Sequence, residues 1–201
     1  MTGVTSTATE LLRAIASFDA PAVAAERFAW PSEPLSRAAF TTLLVDVARE
    51  RVAGHLCAAI ERGALPATDA QRTDASHAHQ AALAVDLVLE RALLTAVDDL
   101  ERAGIDVRVL KVAAIAHTVY PAPELRSFRD VDLLVRDQQL DVAIAVLSEH
   151  GATRRFREPR PRFNRRFGKG VCVRTADGVE IGSCPGLGRV GRCAEAGHRH
   201  A

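Results

Sequence analysis

The stretch Asp130-Val131-Asp132-Leu133-Leu134-Val135 restricts the possible folds more than any other part of the chain. Three apolar residues in a row, flanked by charge, predict a short strand from Asp130 to Arg136 that is buried on both faces and so needs a covering layer. Residues two apart on a strand share a face, which sets the carboxylates of Asp130 and Asp132 side by side, about 6 to 7 Å apart at Cα. Like charges at the start of a buried strand repel. A hard divalent ion such as Mg²⁺ removes that penalty and prefers carboxylate and phosphate oxygens. The plainer alternative is a pair of solvated acids, because an isolated D-x-D pattern is common.

The surrounding punctuation is that of an α+β protein. Val107 to Lys111 reads as a strand, and Val112 to Tyr120 as a helix stopped by Pro121 and Pro123. Asp137 caps a helix from Gln138 to His150, closed by Gly151. Val171 to Arg174 and Val179 to Ile181 form a hairpin across Ala176-Asp177-Gly178. Upstream, the pattern is helical. After the Pro31-Ser32-Glu33-Pro34 break, Ser36 caps a run with Phe40, Leu43, Leu44, Val47, Val52, Leu56 and Ile60 at helical spacing, ended by Gly63 and Pro66. A second helix runs from about Asp74 to Ala103, with Leu83, Leu87, Leu94, Val97 and Leu100 on its buried stripe and Gly104 as its stop. The two are expected to pack as a hairpin. With 48% apolar residues and only 4% aromatic ones, aliphatic helix packing is favoured over an aromatic-rich sandwich. The expected organisation is a helical region over 1–73, a mixed domain over 74–181 and an irregular tail over 182–201.

Several classes are excluded or disfavoured. No apolar stretch reaches the roughly 18 to 20 residues of a membrane span, and the best window, Ala81 to Val97, is broken by Asp86, Glu90 and Arg91. The first residues carry no basic leader and include Glu10, so a cytoplasmic location is expected. Cys57, Cys172, Cys184 and Cys193 form no C-x-x-C pair, which points to reduced thiols, with Cys57 in the core.

The net charge of +1 hides an asymmetry: residues 1–153 carry net −7 and residues 154–201 net +8. The basic part could attract a polyanion, or it could simply be solvated. Within it, Phe156, Phe163 and Phe167 lie between arginines; the expectation is a surface segment with its phenylalanines turned to the core, and nucleic-acid stacking is the alternative. Gly186-Leu187-Gly188-Arg189-Val190-Gly191 matches a dinucleotide fingerprint but has no helix after it. His77, His79, His198 and His200 read as solvent-facing polar residues, with adventitious metal binding the alternative, and His117 equally as a helix-face residue or a ligand contact.

Leu110 to Pro121 (LKVAAIAHTVYP) together with Leu125 to Val135 (LRSFRDVDLLV) resembles the uncharacterised bacterial nucleotidyltransferase family proteins of the DNA-polymerase-β superfamily. Their pattern is L-K-G-x-A, then Y-P, then R-x-x-x-D-[IV]-D-L-L-V, and the likeness covers roughly residues 75–181. The resemblance implies a polymerase-β-like mixed sheet with flanking helices. It also implies Mg²⁺-dependent transfer of a nucleoside monophosphate from a nucleoside triphosphate to an acceptor, whether small molecule, protein or RNA. Asp130 and Asp132 would hold the metal and act catalytically, and Lys111 and Arg126 would contact the triphosphate.

The chain departs from that pattern at three places. Val112 and Arg129 replace glycines, and Val179-Glu180-Ile181-Gly182-Ser183 stands where the pattern reads V-E-[IV]-D-[LV]-H. The third carboxylate is therefore absent at Gly182, leaving Glu180, two positions earlier on the same face, as its substitute. The rivals to an enzyme are a degenerate nucleotide binder and a partner-binding module. Periodicity also stops at Gly182, which suggests a reading-frame change near that codon. Resequencing the region and translating its other frames is expected to yield a V-E-I-D-x-H continuation; relatives that match the present tail in frame would refute it.

Overall fold

Ser36 starts the first long helix as its position suggests. In the computed structural model, which describes residues 8–18, 28–160, 163–164 and 170–185, its hydroxyl accepts the Ala39 N–H at 3.3 Å. Contacts divide the chain into a helical unit, residues 1–85 with 116–127, and a sheet unit, residues 86–115 with 128–201. The fold is mixed α+β. No helix among the described residues is long and apolar enough to cross a membrane.

The helical unit holds α1 (Ala8–Ala16), α2 (Arg37–Glu50), α3 (Ala53–Glu61) and the first half of α4 (Asp69–Arg102). Leu11 and Ile15, Phe40 and Val47, Leu56 and Ile60, Leu65 and Ala75 form its core. Trp30 is edge-on to Phe18 and Phe28, with centroids 5.8 and 5.2 Å away. Gly54 lets α3 pass a backbone turn: a Cβ there would lie 2.6 Å from the Glu124 carbonyl oxygen.

Two expectations for this unit need correction. The single helix expected from Ser36 to Gly63 is broken, because Arg51 adopts a left-handed conformation (φ 60°) and ends α2. The Val52 N–H then bonds the Val47 carbonyl at 3.1 Å and Val52 turns inward. The helix expected at Asp74 begins at Asp69, where Thr68 and Gln71 exchange side-chain-to-amide bonds at 3.2 and 3.0 Å, a capping box the apolar period does not register.

In the sheet unit, β1 (Val107–Leu110), β2 (Val131–Val135), β3 (Thr153–Arg154), β4 (Val171–Arg174) and β5 (Glu180–Pro185) form one sheet in the order β1-β2-β5-β4-β3. β2 pairs antiparallel with β1 and parallel with β5, and β5 forms the expected hairpin with β4. The hairpin turn is closed by Gly178 (φ 83°), whose N–H bonds the Thr175 carbonyl at 3.0 Å. α5 (Lys111–Thr118) follows β1 directly, so Lys111 opens that helix rather than ending the strand. After β2 comes α6 (Leu140–Glu149).

Alternation gives the sheet two faces. Val131, Leu133 and Val135 of β2, Ile181 of β5 and Val171 and Val173 of β4 pack with Leu89, Leu93, Ala96 and Leu100 of α4 and with Leu140, Ile144 and Leu147 of α6. Leu87 and Leu94, expected on the buried stripe of α4, are 65% and 61% exposed. The stripe instead runs through Asp86, Leu89, Leu93, Ala96, Asp99 and Leu100. It includes two acids that hydrophobic spacing passes over: Asp86 accepts the Phe128 N–H, and Asp99 faces Arg102 and His150.

The last strand also continues past Ile181 to Pro185, four residues beyond the point where the sequence pattern stops. Parallel pairing to β2 carries it on: Ser183 lies opposite Leu133 and Pro185 opposite Val135.

Ser183 is fully buried on the apolar side, and among the described residues its hydroxyl has no hydrogen-bond partner. Replacing it with alanine removes that desolvated group at little loss of packing. Ser183→Ala is expected to raise the unfolding free energy by about 1 kcal/mol in a denaturant titration.

Candidate active site

The face of the sheet opposite the apolar core carries the polar positions. On β2 this is Asp132, which pairs with Leu110 of β1 on one side and Gly182 of β5 on the other. The residue is 3% exposed, flanked on both sides by paired strands although it is only the second residue of β2. Gly182 leaves room for this placement of the carboxylate: a Cβ built at 182 would stand 2.5 Å from Asp132 Oδ1, so a side chain there would require the carboxylate to turn.

Asp130 lies one residue before β2 and is exposed, so the two acids sit in different surroundings and are not the matched strand pair that spacing alone describes. Two residues before it, the Phe128 N–H donates to Asp86 Oδ1 at 3.1 Å, and Ser127 and Phe128 are both buried. That bond from α4 fixes the path of the chain into the acids. Sequence reasoning missed Asp86; the signal was an acid standing at a stripe position of an otherwise apolar helix face.

Glu180 is on the same face of β5 as Gly182 but is engaged on the side away from β2. Its carboxylate bonds Arg174 of β4 at 2.8 Å and also pairs with Arg155, just beyond β3. To take the place of the missing third acid, it would have to leave two guanidinium groups.

Lys111 opens α5 immediately after Leu110, so its backbone is next to the register position of Asp132. Its side chain lies outside the described residues, as do those of Val112 and Ala113. Arg126 belongs to the helical unit, where it follows the turn Pro123–Leu125 and lines a cavity of about 400 Å³ with Arg13, Glu50, His55 and Tyr120. The His55 and Tyr120 rings meet edge to face, 5.8 Å apart. The structure thus brings together Asp132, Gly182 and the start of α5.

Among the described residues there is no group of three or more His, Cys, Asp or Glu able to hold a metal. A pair of carboxylates still suits Mg²⁺, which keeps several waters and takes its remaining oxygens from substrate phosphates. Asp132, with its oxygens set over a glycine, and the exposed Asp130 are the residues of this face that fit. Burial, and then Glu61, push the Cys57 thiol up to about 11, so it stays protonated; it is half-buried and packs against the core of the helical unit. The glycine pattern at 186–191, Cys193, His198 and His200 fall outside the described residues.

A family model described as "uncharacterised nucleotidyltransferase" matches residues 38–182. No curated protein and no solved structure matches the chain.

The contact between Asp132 and Gly182 can be measured directly. Gly182→Ala is expected to destabilise the protein by about 1 to 3 kcal/mol, and to do so far less when Asp132→Ala is also present. Strictly additive losses in that double-mutant cycle would show that the carboxylate does not lie over the glycine.

Proposed function

The chain belongs to this uncharacterised nucleotidyltransferase family, and from that premise we propose that its sheet unit binds a magnesium–nucleoside triphosphate and transfers the nucleoside monophosphate to an acceptor. The observation that carries the reading is the register Leu110↔Asp132. It places a buried carboxylate beside the point where β1 becomes the first turn of α5. Amides in a first helical turn have no acceptor within the helix, and with the helix dipole they favour an anionic phosphate. A metal-bound triphosphate suits an acid beside an anion-binding turn, since the cation can meet the carboxylate while the turn receives a phosphate.

In this reading Asp130 and Asp132 hold Mg²⁺, and Lys111 at the helix start contacts the triphosphate. Arg126 supplies a second cation, as the resemblance implies. The bound metal would offset charge on the phosphates as it develops. The acceptor oxygen or nitrogen attacks the α-phosphorus in line, the bond to the bridging oxygen breaks and pyrophosphate leaves. The acceptor proton passes to a base, and Glu180 is the further carboxylate of this face among the described residues.

A second reading has its own support. Gly182 leaves Asp132 without a neighbouring acid on β5, and Glu180 is bound by Arg155 and Arg174. Both features suit a protein that binds nucleotide and metal without completing transfer.

Titration calorimetry with Mg²⁺ and a non-hydrolysable triphosphate, followed by incubation with α-labelled triphosphates, separates the two. Wild type is expected to bind the nucleotide and Asp132→Asn to bind it at least tenfold more weakly, given a lost charge-assisted contact of about 1.5 to 3 kcal/mol. Transfer of label by wild type and not by Asp132→Asn supports the enzyme; binding without transfer supports the second reading. Absence of nucleotide binding overturns both.

A further inference from the structure

At the opposite end of the sheet from β1, the short edge strand β3 leads into Arg155-Phe156-Arg157-Glu158-Pro159-Arg160. Sequence reasoning turned the phenylalanines of this region inward. Phe156 is instead 55% exposed, and the Arg155 guanidinium carbon lies 5.0 Å from its ring centroid. Arg154, Arg155, Arg157, Arg160 and Arg174 are all exposed. Of the three described acids from 154 to 180, Asp177 is exposed in the β4–β5 turn and the other two are engaged. Glu158 accepts the Asn164 N–H at 2.7 Å, and Glu180 binds Arg155 and Arg174, holding those two guanidinium groups in place.

We propose that this edge, built from Arg154, Arg155, Phe156, Arg157, Arg160 and Arg174, is a binding surface for single-stranded nucleic acid. The inference stands apart from the nucleotidyltransferase reading. Charges at a sheet edge also prevent edge-to-edge pairing, but that role does not explain an exposed phenylalanine in their midst, which works against it. An aromatic face beside fixed guanidinium groups offers what an unpaired strand presents: bases to stack and phosphates to neutralise. The residue choice agrees. Of the nine basic residues from 154 to 174, eight are arginine, whose planar group both stacks and bonds phosphate in two places, whereas lysine acts as a point charge. A membrane surface is less suited, since interfacial anchoring grows with buried apolar area and the described part of the patch presents one apolar ring.

Fluorescence anisotropy of the full chain with an end-labelled 12-nucleotide single-stranded RNA tests the proposal, with vesicles containing phosphatidylserine as the comparison. The expected result is salt-dependent RNA binding. The slope of log K against log salt should fall by about 1.4 in Arg157→Ala/Arg160→Ala, if each arginine meets one phosphate. Phe156→Leu, which keeps apolar bulk but removes the aromatic face, should weaken binding about tenfold with the slope unchanged. Asp132→Asn should bind RNA as wild type does, so that failure of the catalytic reading leaves this result intact. No RNA binding at low salt, binding to vesicles alone, or wild-type affinity in Phe156→Leu would overturn the proposal.

Discussion

The candidate site depends on one close approach. Asp132 lies within the sheet with its Oδ1 2.5 Å from where a Cβ on Gly182, its neighbour across the parallel pairing, would stand. A carboxylate that is 3% exposed within a sheet pays heavily for desolvation unless something compensates, and such groups are found where function or a specific partner keeps them. The glycine leaves room for this placement of the carboxylate, and it stands where the family resemblance would place a further acid.

The remainder of the sheet unit supports that acid from the apolar side. Val131 and Leu133 anchor β2 in a core shared with α4 and α6, so the strand cannot slip without turning its apolar residues outward. Asp86 fixes the approach to the strand by taking the Phe128 N–H. An acid buried on α4 and an acid buried on β2 therefore serve different ends: the first satisfies a backbone donor, while the second lies beside a helix start suited to a phosphate.

Charge is separated along the same sheet. The acids lie at β2, near the β1 end, and the arginines gather at the β3 end, with Glu180 between them and bound on the arginine side. The two proposed sites, for a cation at the acidic centre and for a polyanion at the basic edge, therefore rest on different residues of one sheet.

Much of this was legible in the sequence. The apolar run after Asp132, the turn at Gly178 and the stops at Gly104 and Gly151 are local features, set by side-chain burial and by the backbone freedom of glycine, and the strands and turns fall where they indicate. What the sequence could not decide were the properties that depend on a distant partner. The left-handed Arg51 interrupts a helix that its spacing would continue. Asp86 and Asp99 displace Leu87 and Leu94 from the buried stripe, because hydrogen bonds to Phe128 and to Arg102 reward burying an acid there. Phe156 points to solvent although its type favours the core. Local sequence thus determined most of the segments that became helix, strand or turn; tertiary packing decided which face each one buries, since burial is set by groups that meet across the fold and are far apart in the chain.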